Sequence, residues 1–189
     1  MRSIRLIAAL AALGMAPVAA NPLKSLYTTI DLRECRRTDK GPPPGGAWLC
    51  AGLDGYPVYI AEGDLRTFVS VGRHPQKRRA AQQTLKAPNS LFQGVSRRAT
   101  LEWRFVRRDG KVLPFATIQR FFTRNGTDAG EVLVVTKVTP TEDCHVAYID
   151  ALANPQAIVI ARAVADNEAR RFDCRTEPKR VGKYGRSPM

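Results

Sequence analysis

Glu131–Thr139 reads EVLVVTKVT. A strand with one wet face alternates apolar and polar residues, whereas this run is almost continuously apolar and β-branched. It therefore predicts a central strand buried on both faces. The segments on either side supply its neighbours. Upstream, Thr100–Val106 alternates, with Leu101, Trp103 and Phe105 on one face and Glu102 and Arg104 on the other. The turn sequence Arg107-Arg108-Asp109-Gly110-Lys111 follows, and Pro114–Thr123 returns as the second strand of a hairpin. Asn125–Gly130 reads as the loop into the central strand. Downstream, Cys144–Asp150 reads as a further strand.

Farther out the signals are local. Tyr27–Leu32 is expected to be a first strand, leading through a Pro/Gly loop at Asp39–Gly46 to Trp48 and Cys50. Tyr56–Glu62 and Leu65–Val71 alternate about a Gly63-Asp64 turn, which would set Val58 opposite Val69, Ile60 opposite Thr67 and Tyr59 opposite Phe68. Pro75–Lys86 uses good helix formers after a proline, with only Ala80, Ala81 and Leu85 to bury, and suits a short basic surface helix. Leu91–Arg98 reads as a connecting loop. The last element is a helix from about Pro155 to Phe172, with Asn154 as its cap and a stripe of Ile158, Ala161, Ala165, Ala169 and Phe172. The expected fold is α+β, an antiparallel sheet of about six or seven strands with a packed C-terminal helix.

Residues 1–20 have the form of a secretory leader: Arg2 and Arg5, an apolar run from Leu6 to Leu13, Pro17, then small residues at Ala19 and Ala20. Cleavage would leave a chain beginning at Asn21, one domain over 21–174 and a polar, flexible tail over 175–189. The apolar run is well short of the roughly 20 residues a spanning helix needs. In an oxidising compartment Cys35, Cys50, Cys144 and Cys174 are read as disulfides. Of the three possible connectivities, Cys35 with Cys50 and Cys144 with Cys174 is favoured because both are short closures. A zinc site is disfavoured by the lack of a close cysteine pair.

Charge is the strongest functional signal. The chain carries +13, and residues 73–124 hold thirteen basic side chains against Glu102 and Asp109. The segments 21–72 and 125–189 each cancel. Within the block, cations cluster at Lys77, Arg78 and Arg79, at Arg97 and Arg98, at Arg104, and around the hairpin turn at Arg107, Arg108 and Lys111. These nine are the candidate binding residues, suited to phosphate or carboxylate groups. Interleaved Phe92, Trp103, Phe105, Phe115, Phe121 and Phe122 could stack on single-stranded nucleic acid, but Trp103 and Phe105 fall on the expected core face with Leu101 and no nucleic-acid motif accompanies them.

Catalytic signals are thin. His145, beside Asp143 and Cys144, is the candidate base of a hydrolase, with Ser90 or Ser96 as nucleophile, yet no nucleophile elbow is present. Glu62 and Asp64 are a weaker acid and base pair. No calcium loop or phosphate-cradling glycine loop implies a metal or cofactor.

The segments YPVYIAEGDLRTFVSVG, KRRAAQQTL, TLEWRF, and CHVAYIDALANPQ leading into ARAVADNEARRFDC resemble a group of small exported proteins of unassigned function from Gram-negative bacteria. The resemblance covers most of residues 27–174. It implies a periplasmic location and supplies no site residues. The expected function is non-catalytic binding, through the basic central surface, of an anionic envelope lipid, a polysaccharide or an acidic protein, with a His145-based hydrolase as the alternative.

Overall fold

The computed structural model describes residues 24–38 and 45–189. The proposed leader, the start at Asn21 and most of the Pro/Gly loop lie outside the described residues. The fold is α+β, in three layers: a small sheet, a large sheet and a helix. The large sheet contains β1 (Lys24–Asp31), β6 (Asn89–Ser90), β7 (Arg98–Arg108), β8 (Lys111–Asn125), β9 (Asp128–Val138), β10 (Asp143–Asp150) and β11 (Lys179–Arg180). Its strand order is β1-β7-β8-β9-β10-β11, with β6 pairing the end of β8. The small sheet has the order β2 (Arg36–Arg37), β3 (Gly46–Leu53), β4 (Tyr56–Gly63), β5 (Arg66–Val71). Helix α1 spans Ala157–Asn167.

The apolar run of β9 is explained by this layering. Val132, Val134 and Val138 join a core with Val58, Ile60, Val69 and Val71 of the small sheet and with Trp103 and Phe121. Leu133 and Val135, on the opposite face, pack with Ala161, Val164, Ala165 and Phe172 of the helical layer. Two cores sharing one strand leave no wet face to carry a polar alternation. The helix expected over 155–172 is thus present, shorter, and followed by a 3-10 turn at Ala169–Arg171. The two disulfides have the expected pairing, Cys35–Cys50 and Cys144–Cys174. The first ties β3 to the segment after β1, and the second ties the start of β10 to the chain just past the helix. Among the described residues no helix is long and apolar enough to cross a membrane.

Several expectations are corrected. The large sheet is mixed, because β11 runs parallel to β10, with Ala147 opposite Lys179. A second sheet takes β2–β5, whereas β1 leaves its sequence neighbours to pair with β7, Lys24 opposite Phe105 and Asp31 opposite Arg98. The β4–β5 turn is Asp64-Leu65, both at positive φ, so Gly63 pairs with Arg66 and Val58 with Val71. The register is two residues from the expected one, a shift that keeps every side chain on its face. The loop before β9 contracts to Gly126-Thr127, since Asn125 already pairs with Asp128.

The basic surface helix is absent. Pro75–Lys77 and Arg79–Gln82 are two 3-10 turns, and Arg78 between them is extended. Three apolar residues are too few to hold a helix on the sheet, and side-chain bonds fix the tighter path instead: Ser70 Oγ donates to Pro75 O (2.6 Å), and Gln83 Oε1 accepts the His145 N–H (2.9 Å).

Residues 175–189, expected to be a flexible tail, run back along β10 to a buried carboxylate. Asp150 Oδ2 accepts the N–H groups of Gly185 (3.1 Å), Arg186 (2.8 Å) and Ser187 (2.9 Å), and Oδ1 bonds the Ser187 hydroxyl (2.6 Å). Burial would raise the pKa of Asp150, but the hydrogen bonds from Ser187, Arg186 and Ala153 outweigh it and hold the carboxyl below its ordinary value. Asn154 does not cap α1. Its amide donates to Asp150 O (2.8 Å) and Lys183 O (2.6 Å), so it too binds the tail. Asp150→Ala is expected to free residues 183–189 at a cost of about 2 kcal/mol, the scale of hydrogen bonds to a charged group. Hydrogen exchange would show it as lost protection at Gly185–Ser187; unchanged protection there would contradict the latch.

Candidate functional site

At the end of the large sheet where β8 begins, separate stretches of chain bring cations together. The β7–β8 hairpin turns at Asp109-Gly110, both at positive φ, which Gly adopts freely and Asp tolerates. Arg107, Arg108 and Lys111 surround that tip and are exposed. The β9–β10 turn lies at the same end, because Ala116 pairs with Lys137 and Val138 with Asp143. Arg78 reaches this turn, donating to Pro140 O (2.8 Å) while its Nε donates to Arg73 O (3.0 Å). Lys77 and Arg79, exposed, flank it. Thus six of the nine sequence-predicted residues share one end of the sheet.

Four more cations gather there, of which Arg73 belongs to the basic block without being one of the nine candidates. Lys24 sits opposite Phe105, Arg73 precedes the 3-10 turns, and Arg170 stacks 4.2 Å from the Phe115 ring, next to Arg171. Lys24, Arg170 and Arg171 escape a count along the chain because they lie outside the basic block and reach its surface only through strand pairing and helix packing. Acidic compensation is slight. Asp109 is at the tip, while Glu142 is taken by Lys137 (2.6 Å) and Asp173 by Arg175 (2.7 Å). Among the described residues Lys77, Arg79, Arg108 and Lys111 take part in no ion pair.

Three predicted residues are elsewhere. Arg97 and Arg98 lie at the opposite end, where Arg98 faces Asp31 at 3.5 Å. Arg33, hydrogen-bonded to Asp31, brings that carboxyl down to about 2. Arg104 is buried between β7 and α1 and is unavailable to a partner. Its Nε and Nη2 donate to Asp166 (2.9 and 2.7 Å) and its Nη1 to Ser25 Oγ (2.6 Å). The bulge after Arg104 and the helix beneath it turn an apparently wet face of β7 into an interior one.

The catalytic candidates do not assemble. His145 is 1% exposed, its Nδ1 lies 3.0 Å from Tyr148 Oη, and burial lowers its pKa to about 3. A ring so placed stays neutral and is shut off from solvent, the arrangement of a core histidine. Asp143, two residues before it, is also buried; burial lifts its pKa to about 7, against the pull of the Val71 N–H on Oδ2 (2.7 Å). Ser90 and Ser96 are on the other end of the molecule, beside β8's last residues and before β7. Glu62 is half-buried, which raises its pKa although Arg97 opposes the shift, whereas Asp64 is exposed and bound to Arg66. The two carboxyls have different surroundings and partners. Trp103 and Phe121 are core residues, the Trp103 indole donating to Thr28 Oγ1 (2.8 Å). Among the described residues no group of three His, Cys, Asp or Glu side chains gathers as a metal would require.

The functional candidate is therefore the cationic end, built from the β7–β8 tip, the 3-10 turns and the close of the helical layer. Compared with known proteins, the chain matches no family model, no curated protein and no solved structure.

Proposed function

We propose that the protein is an exported, non-catalytic binding protein that holds an anionic envelope component, lipid or polysaccharide, or an acidic partner protein against its cationic end. The observation that carries the reading is the convergence of Arg107, Arg108 and Lys111 with Lys77, Arg78 and Arg79 at one end of the large sheet, with Asp109 the acid at the tip. Such a concentrated field attracts anions and orients their approach. The two disulfides and the leader-like first twenty residues support an oxidising compartment outside the cytoplasm.

The test is association with vesicles of phosphatidylcholine alone and of phosphatidylcholine with phosphatidylglycerol, over a salt series. Binding is expected to the anionic vesicles and to fall steeply as salt screens it. Each surface cation near an anionic membrane contributes about 1 kcal/mol, so Arg107→Glu, Arg108→Glu and Lys111→Glu together should cost about a hundredfold or more in affinity. Arg97→Gln, at the far end, should change it little. Unchanged affinity in the triple variant would remove the tip from the binding surface.

A further inference from the structure

The two sheets end in the outer strands β1, β11, β2 and β5, and all but the first are closed to further pairing. β2 and β11 are two residues long. β5 is longer, but the outer backbone groups along it and its turn are taken. Leu65 O accepts the Asn89 N–H (2.9 Å), and Asn89 Oδ1 accepts the Thr67 N–H (3.1 Å). Thr84 Oγ1 donates to Thr67 O (2.7 Å), and Asp143 Oδ2 accepts the Val71 N–H (2.7 Å). Short strands and covering groups are ordinary means of blunting a sheet edge.

β1 has neither protection. Its 8 residues run in unbroken register with β7, with no proline and no bulge, and the sole cation is Lys24 at the start. The Leu32 N–H bonds Arg97 O (3.1 Å) where the ladder ends. Bonding residues alternate along an antiparallel pair, so Leu26, Thr28 and Ile30 turn their backbone groups to β7, whereas Ser25, Tyr27 and Thr29 turn theirs outward. Among the described residues nothing bonds those outward groups. At the same positions Tyr27 is 55% exposed and Thr29 is exposed.

We propose that β1 pairs antiparallel with β1 of a second copy of this chain, about a two-fold axis at Tyr27, joining the two large sheets into one. Ser25 then faces Thr29 of the second copy, Tyr27 faces its own equivalent, and every outward N–H and C=O gains a partner. Other axes serve less well. An axis at Thr28 would set Ser25 against Asp31, whose carbonyl already accepts the Glu34 N–H (2.9 Å), and one at Leu26 would set Thr29 against Leu23, outside the strand. The axis at Tyr27 also brings two exposed tyrosines side by side on one face, a favourable cross-strand pair. Charge fits the same arrangement. A chain of net charge +13 resists meeting itself, yet Lys24 lies at the cationic end of β1 and Asp31 at the other. The two-fold sets Lys24 against Ile30, next to Asp31 of the second copy, and points the two cationic ends to opposite poles. Such a contact consumes both β1 edges and closes at two copies. It is independent of what the cationic end binds.

The test is sedimentation equilibrium of the isolated protein over a concentration series, in moderate and high salt. The expected result is a reversible equilibrium between one and two chains that salt does not weaken, since salt screens the repulsion between copies. Thr29→Pro removes an outward N–H and spares the bonds to β7, an edge position that proline tolerates. Tyr27→Lys places two like charges on the axis. Each should weaken association by about tenfold or more, and Arg108→Gln should not. Tyr27→Cys supplies a second readout should Thr29→Pro fail to fold. Facing residues at the axis lie about 5.5 Å apart between Cα atoms, within disulfide reach, so oxidation should link two chains through Tyr27→Cys and not through Thr29→Cys. A one-chain mass at every concentration would overturn the proposal and leave the edge to an extended strand of another protein. Association indifferent to both Thr29→Pro and Tyr27→Lys, or linkage as ready through Thr29→Cys, would overturn it too.

Discussion

Asp143→Asn is expected to stabilise the protein at pH 8 by as much as about 4 kcal/mol, and to leave its stability at pH 4 nearly unchanged. The buried Asp143 carboxyl has its pKa raised to about 7 from an ordinary 3.8, so the folded state holds a proton that the unfolded state has released between those values. Its contribution is fully present below about pH 4 and is lost as pH rises through 7. The neighbouring His145 has the opposite sign: with its pKa lowered to about 3 from 6.5, its contribution is present above pH 6.5 and lost as pH falls. Between about pH 4 and 6.5 the folded state gains one proton at Asp143 and lacks one at His145, so the two slopes cancel.

Each single variant then exposes the other residue. Asp143→Asn should lose about 1.4 kcal/mol per pH unit on acidification below 6.5. His145→Gln should instead gain stability as pH falls from 7 to 4. Urea denaturation at unit pH intervals reads both slopes, and parallel profiles for the wild type and the two variants would show that neither burial governs the titration.

Arg104→Met should cost about 3–5 kcal/mol, the scale on which breaking a buried ion pair leaves its partner uncompensated. The residue left behind is Asp166 on α1. Glu102 nearby keeps Arg162, whose Nε donates to Oε1 (2.8 Å) and whose Nη2 donates to Tyr27 Oη (2.9 Å), but it also loses the Arg104 charge at 3.9 Å. The double variant Arg104→Met, Asp166→Leu removes both members of the pair and should recover much of the loss. Thermal and urea melts of the three proteins decide it. A double variant as unstable as the single one would mean that Arg104 acts through the packing of its stem rather than through charge.

That residue also marks where reading along the chain stops. Leu101, Glu102, Trp103, Arg104 and Phe105 alternate as a strand with one wet face should, and β7 is a strand. All five are nonetheless buried, because a helix 60 residues away lays Asp166 and Arg162 on the polar side. Local signals served well where the cause is local: the β-branched run of β9, the Asp109-Gly110 turn, and the short disulfide closures. They failed where the partner is remote in sequence. The pairing of β1 with β7 and the tail held by Asp150 both depend on segments with no shared sequence pattern. The β4–β5 turn failed for another reason: Gly63 invites the turn by conformational freedom, yet Asp64 and Leu65 adopt it, and nothing in a leucine announces a positive φ. As for the candidate surface, its hairpin tip and the Lys77–Arg79 group were visible as charge, but their meeting depended on the β9–β10 turn to which Arg78 is bonded.

The parallel strand β11 has a consequence for self-association. Without it the outer edge of β10 would offer unpaired backbone groups to any extended chain, the route by which sheets grow into aggregates. Lys179 and Arg180 occupy that edge, paired to Ala147 and Tyr148, and both are exposed. A second chain seeking to add a strand there would have to displace the segment and approach two like charges. The C-terminal residues thereby act as a gatekeeper for the sheet.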